Sequence, residues 1–266
     1  MKKGFTPHLI KGAGFTLIEI VVVLGVFALL VALASPVILG QIEAGRERAT
    51  KSEMKNIFQA IMGSKEKGDF GFLGDMGKLP ETLTDLVVKP SGVLEFNNNY
   101  TNRVGMGWRG AYLQGFSPED LIKDAWGFPY QYSPSGPNAG QIISGGPDHD
   151  LTTTADNIVF PAYPPKTKGT LLVTVLVNGL PQPKYVTVEV YQTENGSESP
   201  TVLTKVTGTD GYGTFDFEVT QGIHAVKIYH RKGTSEVTSR TINVAIPAGE
   251  QLNAIINLTT SFSVEF

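Results

Sequence analysis

The chain has 266 residues, 41% of them hydrophobic, with 22 Lys plus Arg against 25 Asp plus Glu and no Cys. The length suggests about two domains; the apolar content argues against wholesale disorder, and the 18% charge against a polytopic membrane protein. A formal charge of −3 speaks against nucleic-acid binding through bulk electrostatics, and the missing Cys excludes disulfides, Cys-ligated zinc and a thiol nucleophile.

Much of the apolar content lies at the start. Residues 1–14 carry Lys2, Lys3 and Lys11 and no acid, and between Phe15 and Ala34 the only charge is Glu19. About 20 residues rising ~1.5 Å each cross a hydrocarbon core of ~30 Å as a helix. The lysines before it favour a cytoplasmic N-terminus and a translocated C-terminal side. The small residues Gly12, Ala13 and Gly14 separate the basic part from the apolar run. A cut there removes the charges and keeps the helix, unlike an ordinary secretory signal. Hydropathy alone fits an uncut signal anchor equally well. Glu19 separates the two, because an ionised carboxylate in lipid costs at least ~2.5 kcal/mol and needs a partner. Cleavage after Gly14 gives Phe15 an α-amine one helical turn from Glu19, within a subunit or between neighbours packed in register.

The run Gly14-Phe15-Thr16-Leu17-Ile18-Glu19 resembles the prepilin peptidase site of the type IV pilin and type II secretion pseudopilin family. The resemblance implies cleavage after Gly14, N-methylation of Phe15 and Glu19 as the assembly glutamate. It also implies a kink at Pro36, which by itself weakens a helix by removing one hydrogen bond. Implied partners are other pilin-like subunits in a homo- or hetero-oligomer, the prepilin peptidase and an inner-membrane assembly platform, with no nucleic acid. The implied location is the inner membrane, single-pass, with the C-terminal part in the periplasm or on an extracytoplasmic fibre. Losing the three leader lysines takes the formal charge from −3 to −6.

After Pro36, the residues Met54, Ile57, Phe58, Ile61 and Met62 form one apolar helical face, and Gly63 and Gly68 mark where this helix stops. Arg46, Glu47, Arg48, Lys51 and Lys55 fall on the opposite face, solvated or turned to neighbouring subunits. A short helix is expected over Glu81–Val88. Gly110-Ala111-Tyr112-Leu113, then Asp124-Ala125-Trp126-Gly127-Phe128-Pro129-Tyr130-Gln131-Tyr132, read as aromatic core residues between turns. They also resemble a pattern of the major pseudopilin, from which Ala125 departs by standing where that family usually has Pro.

The segment Gly146-Pro147-Asp148-His149-Asp150 through Asp156-Asn157-Ile158 falls where the family often holds calcium. Calcium takes roughly six to eight oxygens, and Asp148, Asp150 and Asp156 with nearby carbonyls supply several. The spacing is not that of an EF-hand, and His149 replaces a frequent glycine. The same residues also read as a metal-free turn of hydrogen-bonded Asp and Thr.

Phe160 to Gly169 has the composition of a stiff linker. Seven strands then follow in about 100 residues: 170–177, 185–191, 201–207, 214–219, 224–230, 236–245 and 251–258, with turns at Asn178-Gly179, Asp210-Gly211 and Gln221-Gly222. They predict a small antiparallel sandwich. Its turn glycines and Tyr212-Gly213-Thr214-Phe215 resemble the carboxypeptidase regulatory-like and transthyretin-like families, a likeness of fold that says almost nothing of activity. Most pseudopilins end near Phe160, so the sandwich is an addition to the family pattern.

The expected fold class is α+β. Its parts are a leader over 1–14, a transmembrane helix over 15–35, a helix and pilin-like head over 36–160, a linker over 161–169 and a sandwich over 170–266. His224 and His230, six positions apart, share a strand face and read as surface residues without metal-site spacing. No nucleophile elbow, P-loop or dinucleotide fingerprint is present. The reading is a structural subunit of a type II secretion pseudopilus or related pilus-like fibre, not an enzyme. The runner-up is a minor or tip type IV pilin whose sandwich binds a surface, a partner subunit or cargo.

Overall fold

A computed structural model describes residues 15–99, 104–153, 155–181, 185–196, 201–206, 213–232 and 235–259. The leader with Gly14, and the turn at Asp210-Gly211, lie outside these described residues. The chain is α+β, one long N-terminal helix followed mostly by strands. It divides into two compact units, Met1–Arg48 and Ala49–Phe266.

Helix α1 runs Leu17–Met62, 46 residues, and continues through Pro36. Pro36 takes one N–H out of the ladder without ending the helix, and the Ser35 hydroxyl beside it donates to the Val31 carbonyl at 2.7 Å. In the first unit, Leu17, Ile18, Val26 and Phe27 are all more than half exposed, and at about 100° per residue they point in four different directions around the axis. A helix apolar on all sides belongs in a core or in lipid, and this one is long and apolar enough to cross a membrane.

The second unit starts with the amphipathic end of α1. Met54, Ile57 and Ile61 are fully buried, with Phe58 and Met62 packed beside them, as the spacing predicts. They share a core with helix α2 (Gly71–Met76) and with Ile142 and Ile158 of one of the head's two small antiparallel sheets. One pairs β1 (Asn97–Asn99) with β2 (Val104–Met106); the other orders β3 (Gln131–Tyr132), β4 (Ile142–Ser144) and β5 (Ile158–Phe160) as β3-β4-β5. The helix expected over Glu81–Val88 is a 3-10 turn, Leu83–Leu86, closed by a reciprocal box between Thr82 and Asp85. Pro90 disfavours helical backbone just before it, so the apolar stripe reduces to Leu83 and Leu86, both buried.

The sandwich contains β6 (Lys168–Val177), β7 (Leu180–Pro181), β8 (Val186–Gln192), β9 (Thr201–Lys205), β10 (Thr214–Thr220), β11 (Gly222–Lys232), β12 (Ser235–Ile246) and β13 (Gln251–Leu258). The seven expected strands are present, and the two-residue β7 follows the Asn178-Gly179 turn. One sheet runs β10-β6-β13 with β7 on β6, and the other β12-β11-β8-β9. Alternate residues fill the space between them: Leu171, Val173, Val175 and Val177 from β6 meet Val186, Val188 and Val190 from β8. The all-antiparallel expectation fails at one place, since β13 pairs parallel with β6 over Gln251–Leu258. The chain leaves β12 in one sheet, turns at Pro247–Glu250 and enters the other. The Glu250 carbonyl there accepts the Thr170 N–H, so β13 starts at the same end as β6.

The sandwich packs directly on the head within this unit. Ala225 of β11 and Tyr191 of β8 close on Val104 and Met106 of β2. The Gln221 amide donates to the carbonyls of Met62 at 2.6 Å and Phe70 at 3.0 Å, so a sandwich residue caps the last turn of α1. The Gly196 N–H caps the Met76 carbonyl at the end of α2. Gly77 makes this approach possible: a Cβ there would lie 2.0 Å from the Thr193 carbonyl oxygen. His224 corrects a sequence expectation. It is buried, 1% exposed, with Nε2 at 2.7 Å from the Thr220 carbonyl. In β11 it shares parity with the core residues Val226 and Ile228, so the face that looked like surface points inward.

Two outcomes follow from this packing. Gln221→Ala leaves two carbonyls without their donor, and denaturant unfolding of the full chain in detergent should show a loss of about 1–3 kcal/mol; an unchanged midpoint would contradict the capping role. Burial lowers the His224 pKa from 6.5 to about 4. The unfolded chain therefore binds the proton first, and this contribution is present above about pH 6.5 and lost as pH falls toward 4. Its full size is about 3 kcal/mol. His224→Gln should flatten the acid limb of the stability–pH profile, and an unaltered limb would show that other groups set it.

Candidate functional site

The N-terminal site is built by the start of α1. Thr16 precedes the first helical residue, and its hydroxyl accepts the Glu19 N–H at 3.2 Å. The Glu19 carboxylate in turn accepts the Thr16 N–H and hydroxyl, both at 2.9 Å. This is a capping box, and it satisfies the helix's first orphan donors. Its signature, Thr-x-x-Glu ahead of an apolar run, was legible in the sequence, yet Thr16 does not stand out there until Glu19 is seen to need a partner. The box supplies hydrogen bonds but no counter-charge, which a carboxylate in lipid still lacks. Glu19 thus keeps a reason to find a cation. Phe15, which follows the expected scissile bond, is 82% exposed.

In the head, each of the two aromatic motifs is anchored by hydrogen bonds to other elements. Tyr112 donates its backbone N–H to the Leu86 carbonyl at 2.8 Å and its hydroxyl to Asp75 at 2.9 Å. Arg109 pairs with the same carboxylate. Burial pushes the Asp75 carboxyl above its ordinary range, opposed by Arg109 and Tyr112. Trp108 donates to the Asp85 carbonyl at 2.9 Å and meets Tyr112 edge-on. Tyr130 donates to Glu53 of α1, and burial raises both the Tyr130 phenol and the Glu53 carboxyl.

Asp124 organises the second motif. Its Oδ1 accepts the N–H groups of Trp126 and Phe128, both at 3.0 Å, and its Oδ2 accepts the buried Ser144 hydroxyl at 2.6 Å. Ser144 accepts the Gly146 N–H at 3.1 Å, which ties this turn to the acidic loop. Ala125, the departure from the family pattern, donates its N–H to the buried Thr50 hydroxyl of α1 at 3.1 Å. Proline has no N–H to give, so the substitution exchanges a stiffer turn for a bond to the helix.

The acidic loop holds Asp148, Asp150 and Asp156 on the same surface, but their oxygens are directed inward to the loop's own donors. Asp148 accepts the Asp150 N–H at 2.9 Å and the Thr153 hydroxyl at 2.8 Å, bonds that hold its pKa low. Asp150 accepts both donors of Thr152. Asp156 accepts the Asp148 N–H at 3.4 Å. Among the described residues, no three His, Cys, Asp or Glu side chains converge as a metal site. The buried Asn157 Oδ1, which the sequence did not single out, has no hydrogen-bond donor. Four carboxylate oxygens, Asp148 Oδ1 and Oδ2, Asp150 Oδ1 and Asp156 Oδ2, are turned to the loop's own donors, so the side chains as arranged are not gathered about a cation.

A cleft of about 680 Å³ also opens on the head between Asn56 and Gln59 of α1 and the Arg109–Gln114 segment. Its lining holds no histidine, and Arg109 is committed to Asp75 and Asp69.

A long helix, apolar all round in its first half, with a small head formed on its amphipathic end, is the architecture of a pilin-like subunit. No family model matches the chain. Over 144 residues, 54% of this chain and 84% of the relative, it is 31% identical to the type II secretion system core protein G of Xanthomonas campestris pv. campestris. The chain belongs to that family, the major pseudopilins of type II secretion. Two solved structures overlap it loosely. A DUF3823 family protein from Parabacteroides merdae has a TM-score of 0.25 at 16% identity, over 36% of this chain and 46% of that one. GBS52, the minor pilin of Streptococcus agalactiae, has a TM-score of 0.27 at 11% identity, over 49% and 63%. In both cases this chain spans less than two thirds of the other, and superpositions this loose carry no argument.

Proposed function

We propose that this chain is a non-enzymatic structural subunit of a type II secretion pseudopilus or a related pilus-like fibre, assembled through α1. The observation that carries the reading is Glu19, a carboxylate one turn into a helix that is apolar on every side. The capping box supplies it no counter-charge. The α-amine created on Phe15 by cleavage after Gly14 is the complementary charge, and a neighbour in register presents it to Glu19. The prepilin peptidase makes the cut and N-methylates Phe15. The subunit waits in the inner membrane, single-pass, with its C-terminal part in the periplasm, and an assembly platform draws it into the fibre with other pilin-like subunits.

The second reading, a minor or tip subunit whose sandwich binds a surface, partner or cargo, is supported by the size of that addition. Seated firmly on the head, the sandwich would crowd a fibre in which every subunit carried one. The ratio of this chain to other pilin-like subunits in sheared fibres separates the two readings.

Glu19→Val should insert and be processed normally but fail to form or extend fibres, scored by electron microscopy of sheared filaments; wild-type fibres from this variant would refute the register role. Gly14→Val should accumulate the longer precursor in the membrane fraction. Intact mass spectrometry finding Met1 on the mature wild-type chain would remove the processing step from the scheme.

A further inference from the structure

The acidic loop is where this chain differs most from what its family resemblance implies about the head. We propose that residues 146–153 and 155–157 are closed without a metal, by the stack of His149 on Phe128 together with the Asp–Thr hydrogen bonds of the loop. The two rings lie 3.4 Å apart between centroids at an interplanar angle of 20°. Phe128 is fixed by its own backbone, since its N–H donates to Asp124 and its carbonyl accepts the Asp124 N–H at 2.8 Å. The same Asp124 holds the root of the loop through Ser144 and Gly146. One carboxylate therefore positions both the platform and the base of the segment that folds onto it.

His149 occupies left-handed backbone, φ 63, at the end of the 3-10 turn Gly146–Asp148. A glycine adopts that conformation freely, whereas a residue with a Cβ is strained there. The stack on Phe128 opposes that strain and fixes the position of the loop tip. Beyond the stack, the Asp148 oxygens take the Asp150 and Thr153 donors, and Asp150 takes both from Thr152. These bonds do the work that ligation to a cation does in an open acidic loop. The head of this subunit is then closed whatever the calcium concentration around it.

The test compares the full chain in detergent with EDTA and with millimolar calcium, reading thermal melting and amide exchange of residues 148–153. The expected result is the same melting temperature and the same exchange in both buffers. Phe128→Ala and His149→Gly should speed exchange in this segment about three- to tenfold, and His149→Phe should keep it slow. If Phe128→Ala does not fold, His149→Gly, which relieves the backbone, still carries the comparison. A melting temperature that rises with calcium and falls with EDTA overturns the proposal, as does exchange that His149→Gly leaves unchanged. Neither result bears on fibre assembly, which the Glu19 variant reads separately.

Discussion

Every helix ends in peptide groups that its own ladder leaves unpaired, and in this chain both ends of α1 depend on how that need is met. At the start, Thr16 and Glu19 exchange hydrogen bonds and supply the first turn with its acceptors. At the finish, the Met62 carbonyl finds its donor in Gln221, which is 159 residues away in sequence. The first arrangement is local and leaves a carboxylate still short of a full counter-charge in an apolar segment. The second is non-local and makes the sandwich part of the head. The same constraint is thus met locally at one end of the helix and across the fold at the other.

The departures from the family pattern have a common physical character. Ala125 replaces a rigid residue by one with a free N–H, and that N–H reaches the Thr50 hydroxyl. His149 replaces a permissive residue by one whose ring stacks on Phe128. In each case the chain loses a local backbone preference and gains a contact to another part of the head. Both contacts converge on the Asp124 turn, which also holds Ser144. The added sandwich follows the same pattern on a larger scale, giving the carbonyl ends of α1 and α2 donors from outside the head.

The elements legible in the sequence were those with a strong period or a strong end signal. The all-apolar run, the Met54–Met62 stripe, the seven alternating strands and the Asn178-Gly179 turn each follow from spacing alone, and β13 has the expected bounds. Near Glu81, an apolar stripe of three residues does not separate an α-helix from a 3-10 turn. At His224, strand parity says which residues share a face but not which face is inside. The parallel pairing of β13 with β6 had no local signal, since strand direction depends on where the turn at Pro247–Glu250 delivers the chain.

The sequence by itself determined the membrane-length helix, the carboxylate within it, the basic stretch that precedes it and the alternation that makes a sandwich. These are properties of neighbouring residues, and neighbours are fixed by the covalent chain. Only the tertiary structure decided that Gln221 caps α1, that Ala125 is answered by Thr50, and that the acidic loop turns its oxygens to its own donors. Each of these is a hydrogen bond whose direction is set by packing, and packing brings together groups that no sequence spacing relates.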